Sequence, residues 1–281
     1  MKERNIRAKK SLGQNFLKDK NILNKIVTAS GIDKNTDVIE IGPGTGNLTN
    51  MLAAAARRVL AYEIDKELMP MLSEKLKKYD NVVVLHKDIL DANTDEDINT
   101  FFPDTKEVIV VANLPYYITT PILRKFLEEK TKVARLIVMM QLEVAKRISS
   151  LPGNKNYGAL SVSISYRAAA DLLFKVPASA FVPMPKVDSA VVRLSIREKP
   201  LFTVTNEDYF FDFVHKAFAY RRKTLANCLL VEYPEASREN IETMIKQAGV
   251  DPLARAETIE ADNFGRLSNI FWGVFGEKTI K

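Results

Sequence analysis

The amino-acid sequence predicts a doubly wound α/β domain followed by a small all-α domain. Three observations lead there. Between residues 36 and 170, short β-rich apolar runs alternate with helix-length polar-patterned stretches, the pattern of a parallel sheet with helices on both faces. The first of these runs leads directly into a glycine-rich loop. After residue 205 the pattern becomes helical throughout.

In chain order, strands are expected at 37–41 (DVIEI), 58–62 (RVLAY), 82–86 (VVVLH), 107–112 (EVIVVA) and 135–140 (RLIVMM). Two later runs, 161–168 (SVSISYRA) and 188–196 (DSAVVRLSI), read as strands closing the sheet edge, and 171–176 (DLLFKV) as a further candidate. The expectation is a seven-stranded, mostly parallel sheet. Helices are expected at 207–219, 221–231, 237–248 and 262–275, with Gly249 and Pro252 as breakers. Prolines at 177, 183, 185 and 200 punctuate the region between the two parts, and the boundary is placed at 203: residues 1–203 for the arm and α/β domain, 204–281 for the helices.

Composition narrows the function. The chain has 281 residues, 46% hydrophobic and 27% charged, which reads as soluble and globular. Its apolar runs are far too short to span a bilayer, and the charged start MKERNIRAKK shows no secretory signal. A single cysteine, Cys228, and two histidines, His86 and His215, allow no internal disulfide and no zinc cluster, so no metal site is expected and a cytoplasmic setting fits. The net charge of +6 leans toward an anionic partner. It is concentrated in the first ten residues and in Arg221-Arg222-Lys223.

The glycine loop is VIEIGPGTGNLT at 38–49, with glycines at 42, 44 and 46. In a doubly wound sheet the ligand lies beyond the C-terminal strand ends, and Gly42 and Gly44 let the main chain approach it. The spacing is Gly-x-Gly-x-Gly, unlike the dinucleotide fingerprint, and suits a ligand without a pyrophosphate such as S-adenosylmethionine. Glu63 ends the second strand, where a carboxylate accepts from both hydroxyls of a ribose; Asp65 is an equally placed rival. Asp88 follows the third strand and suits either the exocyclic amine of a cofactor adenine or a helix N-cap. Together the three features fit a cofactor with adenine and ribose but no phosphate.

The fourth strand ends in Asn113-Leu114-Pro115-Tyr116, which resembles the Asn/Asp-Pro-Pro-Tyr loop of methyltransferases acting on exocyclic amino groups of nucleobases. The residue types explain themselves chemically. An adenine N6 lone pair is delocalised into the ring, and two acceptors gripping its hydrogens favour a pyramidal nitrogen. Asn113 Oδ1 and the Leu114 carbonyl can be those acceptors. Pro115 fixes its own φ and keeps Leu114 extended. Tyr116 can stack on an extruded base. Asn113 is an amide and is no general base. Cys228 is remote in sequence, which disfavours chemistry through a cysteine adduct.

Over nearly its whole length the sequence resembles the ribosomal RNA adenine N6,N6-dimethyltransferases, specifically the bacterial small-subunit group. AKKSLGQNFLKD at 8–19, VIEIGPGTGNLT, NLPYYI at 113–118, FVPMPKVDSAVVRL at 181–194 and AFAYRRKTL at 217–225 carry the likeness. Met184 between Pro183 and Pro185 is a small departure. The resemblance implies a Rossmann-like class I methyltransferase fold with S-adenosylmethionine as cofactor. It implies that Asn15 and Leu17 border the cofactor, Gly42 lies under it, Glu63 holds its ribose, Asp88 its adenine, and Asn113 faces both methyl donor and target. Phe181 would be the second aromatic of the base pocket, or else an ordinary core residue. Gln14-Asn15-Phe16 alone reads as a helix-entry turn. Arg221, Arg222 and Lys223 would contact phosphate, or else form a solvated helix start. The implied substrate is two adjacent adenosines in the 3′-terminal hairpin loop of 16S rRNA in the small ribosomal subunit, acted on by a monomer with a role in subunit biogenesis. Rival readings are the sister group that methylates large-subunit RNA, a non-catalytic assembly factor on the same scaffold, and a DNA adenine methyltransferase.

Overall fold

The computed structural model describes residues 8–9, 12–129 and 131–276. The charged arm at 1–7 lies outside them. The chain gathers into two compact units. The first takes the residues up to Ala145 together with Ala170–Ile196, and the second takes Lys146–Ala169 together with the chain from Arg197 onward. The boundary expected at 203 therefore falls a few residues past Arg197, and 146–169 joins the helices as well.

In the first unit the short strand β1 (Phe16–Leu17) precedes α1 (Lys20–Ser30). Asp19 caps α1, its carboxylate accepting from the Asn21 and Ile22 N–H groups, and Gly31, at φ 66°, ends it. The alternation then runs β2 (Asp37–Ile41), α2 (Asn47–Ala55), β3 (Arg58–Glu63), α3 (Met69–Leu76), β4 (Val82–His86), α4 (Thr94–Phe101), β5 (Val108–Asn113), α5 (Thr119–Glu128) and β6 (Val133–Gln141). Next come α6 (Leu142–Ile148), α7 (Ala159–Arg167), β7 (Ala168–Val176), β8 (Phe181–Val182) and β9 (Ser189–Ile196). Seven strands form one sheet in the order β4-β3-β2-β5-β6-β9-β7. The pairs β2/β3, β2/β5, β3/β4 and β5/β6 are parallel, and β6/β9 is antiparallel. All five residues of β2 are buried, as expected for a strand with a parallel neighbour on each side.

The order reverses at β2, which has β3 on one side and β5 on the other. That switch point puts a crevice beyond the C-terminal ends of β2 and β5. The register sets which residues meet there: Ile41 pairs with both Tyr62 and Ala112, and Glu63 with His86. Gly42, Glu63, Lys87-Asp88 and Asn113 thus emerge side by side. β1 and β8 form a separate two-stranded antiparallel pair, with Leu17 opposite Phe181, which brings the N-terminal segment to the same edge.

The second unit contains α7, α8 (Glu207–Ala217), α9 (Leu225–Glu232), α10 (Arg238–Gln247) and α11 (Ala261–Phe275). Asn206, Thr224 and Ser237 cap α8, α9 and α10 through their side chains. The run 161–168, expected as a strand, is helix α7. Its alternating serines and β-branched residues imitate a strand period, but packing decides otherwise. Tyr166 sits 5.1 Å ring-to-ring from both Phe202 and Phe210, and the Ser161 hydroxyl accepts from the Gly158 N–H while donating to the Arg147 carbonyl. The seventh strand of the sheet is β7 instead, an extension of the 171–176 candidate. Among the described residues no helix is long and apolar enough to cross a membrane.

Candidate functional site: a pocket at the switch point

A single pocket of the first unit collects residues from five places in the chain: the segment 12–16, the turn at Gly42 and Gly44, the end of β3, the turn after β4, and the segment leaving β5, with Phe181 beside them. At the glycine turn, Gly42 (φ 69°) donates its N–H to the Tyr62 carbonyl at 2.9 Å. A Cβ on Gly42 would have no atom within 4 Å, so the space above it is open to a ligand. A Cβ on Gly44 (φ 56°) would come within 3.1 Å of the Phe16 ring, so that glycine admits the N-terminal segment.

Glu63 is buried, with its Oε2 accepting from the Gly44 N–H at 3.0 Å and its Oε1 from the Asp65 N–H at 2.8 Å. Burial pushes its carboxyl above the usual range, against the pull of those N–H groups. Each oxygen keeps a lone pair for a further donor. The rival Asp65 has another task. It accepts from Lys9 Nζ at 2.7 Å and Gln14 Nε2 at 2.9 Å. Burial disfavours its charge, but these donors outweigh burial and hold its pKa down. Asp65 therefore straps Lys9 and Gln14 to the body, and Glu63 is the acid that faces the pocket. The Gln14-Asn15-Phe16 segment is accordingly a pocket wall and not a helix-entry turn.

Asp88 also lines the pocket, and its Oδ1 accepts from the Leu90 N–H at 2.9 Å. It caps a turn, since the next helix starts at Thr94. Its Oδ2 accepts nothing among the described residues. Ile64 and Ile89, which sequence reasoning missed, flank this end of the pocket and give it apolar walls suited to the faces of a purine. The one available signal was Ile64, an isoleucine left 47% exposed by the strand end.

Asn113 ends β5 and donates Nδ2 to the Asn15 carbonyl at 3.1 Å. With its nitrogen committed, Oδ1 remains as an acceptor. The adjacent turn is held by other groups: the Leu114 N–H donates to the Met139 carbonyl, and the Pro115 carbonyl accepts from the Ile118 N–H and Thr119 Oγ1. The Leu114 carbonyl accepts none of the hydrogen bonds among the described residues. Tyr116 hydrogen-bonds Ser189 Oγ at 2.9 Å, and burial pushes its phenol pKa up. Phe181 lines the pocket although it is 2% exposed and also packs in the core around β2 and β5. It is a core residue that also lines the pocket.

Asn15 lines the main pocket, while Leu17 does not. Leu17 lines a smaller cavity beyond the glycine turn, shared with Gly42, Asn113 and Glu40. Glu40, also missed by sequence reasoning, is 1% exposed, its Oε2 has no partner, and burial pushes its pKa up to about 8. In the second unit, Arg221, Arg222 and Lys223 are exposed on the turn between α8 and α9; the helix expected from 221 begins only at Leu225, about one turn later. Arg221 donates to the Lys155 carbonyl at 2.6 Å, and Lys223 lies over the Tyr220 ring at 4.5 Å.

The open space over Gly42, two carboxylates on one wall and apolar faces at Ile64 and Ile89 fit S-adenosylmethionine. Fold and pocket together define an S-adenosylmethionine-dependent methyltransferase. A family model described as ribosomal RNA adenine dimethylase matches residues 5–272, and the chain belongs to that family. Among curated relatives, the ribosomal RNA small subunit methyltransferase A of Bacillus cereus is 49% identical over 264 residues, covering 93% of this chain and 90% of its own. That of Anoxybacillus flavithermus is 46% identical over 272 residues, covering 96% and 92%. Among solved structures, the 23S rRNA methyltransferase ErmE is 30% identical with a TM-score of 0.69, covering 91% of this chain and 99% of its own.

Proposed function

We propose that this enzyme dimethylates N6 of two adjacent adenosines in the 3′-terminal hairpin loop of 16S rRNA, as a cytoplasmic monomer with a role in small-subunit biogenesis. Two groups of relatives bear on the choice of subunit. The curated relatives above, named for the small subunit, are 46% and 49% identical to this chain, against 30% for the large-subunit enzyme.

One observation carries the chemistry: the bond from Asn113 Nδ2 to the Asn15 carbonyl leaves Oδ1 as an acceptor beside the unengaged Leu114 carbonyl, on the wall shared with Gly42 and Glu63. In this reading Glu63 holds the cofactor ribose, Asp88 the adenine edge, and Gly42, Gly44, Asn15 and Leu17 border the cofactor. S-adenosylmethionine supplies a methyl group activated on a sulfonium sulfur. In the first transfer Asn113 Oδ1 and the Leu114 carbonyl would grip the two N6 hydrogens and turn the lone pair toward that methyl, and in the second one of them would hold the single hydrogen that remains; each transfer leaves S-adenosylhomocysteine. Tyr116 and Phe181 hold the extruded base by its faces. Positioning does the catalytic work; Asn113 is an amide and no general base, so the proton leaves N6 to solvent after transfer. Arg221, Arg222 and Lys223 contact RNA phosphates.

The test is transfer of tritiated methyl groups to small subunits from a strain lacking the modification, followed by nucleoside analysis. Dimethyladenosine is the expected product. Label appearing on large subunits alone would replace this reading with that of the sister group.

A further inference from the structure

Beside the pocket lies an apolar rim that the roles above leave unused. Tyr117 follows Tyr116 but its ring is 58% exposed at the pocket mouth. It rests on Gly13: a Cβ there would stand 3.2 Å from Tyr117 Cδ1 and 3.6 Å from Pro115 Cβ. Gly13 has φ 57°, so both its conformation and its missing side chain let the ring lie against the main chain. The segment 182–188 is anchored to the same pocket at both ends, by Phe181 in the wall and by Ser189 on the Tyr116 hydroxyl. Between those anchors it exposes Val182, Met184 at 69%, Lys186 and Val187.

Large exposed apolar groups on a segment held to a pocket at both ends, with an exposed aromatic ring on that pocket, mark a binding surface. The flat ring of Tyr117 matches the face of an unpaired base, which a duplex hides, the flexible thioether of Met184 can pack against such a base, and Lys186 supplies the charge that a phosphate linkage needs. Resting on the rRNA reading above, we propose that Tyr117 and the 182–187 segment form a landing rim for the unpaired nucleotide next to the adenosine in the pocket. Tyr117 stacks on its base, Met184 packs beside it, and Lys186 meets its phosphate. With two adjacent target adenosines, the rim holds one while the other is methylated. Tyr117 is then a positioning residue that acts on substrate affinity and not on the transfer step.

The experiment compares parent, Tyr117→Ala, Tyr117→Trp, Met184→Ser and Lys186→Ala on both ribosomal subunits, with cofactor affinity measured by calorimetry. A hairpin RNA carrying 2-aminopurine next to the target reports stacking by its fluorescence. Tyr117→Ala is expected to raise KM for the subunit about tenfold, as loss of one base–aromatic stack should, and to abolish the quench. Its kcat and cofactor affinity stay within about threefold, and Trp restores both KM and quench. Lys186→Ala flattens the salt dependence of RNA binding by about 0.7 in log–log slope, one single-strand phosphate contact. An unchanged KM and quench in Tyr117→Ala overturns the proposal, as does a kcat loss that Trp fails to restore. If Tyr117→Ala does not fold, Met184→Ser and Lys186→Ala decide by the same readouts. If the parent labels large subunits alone, the small-subunit reading falls while the rim is judged on that RNA.

Discussion

Two buried glutamates one strand apart behave differently, and the difference is a matter of partners. Glu63 has an N–H on each oxygen and faces the pocket. Replacing it by Ala should weaken S-adenosylmethionine binding by about 10- to 100-fold, the scale of hydrogen bonds to a charged acceptor, and calorimetry showing unchanged affinity would remove it from the site. Because burial raises its pKa, that affinity should begin to fall on acidification at a higher pH than an ordinary glutamate would set. Glu40 has an unpartnered oxygen and a pKa near 8, so it is neutral at pH 7 in the folded protein. An unfolded glutamate ionises near 4.5. Between those values the unfolded state binds fewer protons, so this residue makes stability fall as pH rises from about 4.5 to about 8, by up to roughly 1.4 kcal/mol per pH unit. Glu40→Gln removes that slope. Its thermal midpoint should match the parent near pH 5 and exceed it at pH 8, and a gap that does not change with pH would contradict the assignment. The state of Glu40 was not legible in the sequence. Spacing alone left Glu63 and Asp65 as rivals and only the family resemblance named Glu63; the physical reason is that Lys9, 56 residues away, claims Asp65.

At the scale of elements, sequence reading succeeded where the signal was local. The strands β2, β3, β5 and β6 show up as apolar runs because they lie inside the sheet and are mostly buried, β4 as an apolar run at the edge that is only half-buried, and the turn at 42–46 as closely spaced glycines because the backbone there needs positive φ. It failed where tertiary contact decides. Helix α7 looks like a strand until Phe202 and Phe210 enclose Tyr166. The segment 12–17 looks like an entry turn until Phe16 and Leu17 pair with Val182 and Phe181, at the far end of the domain in sequence. That segment forms a pocket wall and orients Asn113 through the Asn15 carbonyl, so its tether should matter to binding without touching the ligand. Asp65→Ala cuts the bonds to Lys9 and Gln14. It should speed cofactor dissociation about tenfold and raise hydrogen exchange at 13–17, since an ion pair and a second charge-assisted bond are both lost. Glu67→Ala, which removes a surface contact to Lys9, should do neither. Equal dissociation rates for Asp65→Ala and the parent would show that the wall holds without its strap.

For the whole molecule, a surplus of +6 in 281 residues says little, and the charge that the proposed phosphate contacts use sits on an exposed basic turn of the helical unit. The three residues of that turn should not behave alike. Arg221 donates to the Lys155 carbonyl and lies 3.9 Å from Glu257, so part of its work is to hold the 151–157 loop. Lys223 is stacked on Tyr220. Arg222 is exposed and makes no ion pair among the described residues, which leaves its guanidinium for phosphate. Binding to small subunits, measured across a salt series, should therefore separate them. Arg222→Ala is expected to flatten the log–log slope by about 0.7 to 0.9, one phosphate contact, with no change in thermal midpoint or cofactor affinity. Arg221→Ala should lower the midpoint by a few degrees as well as weaken RNA binding, because a buttress of the loop goes with the charge. A slope unchanged in Arg222→Ala would place the phosphate contacts elsewhere on the chain and leave this turn a solvated one.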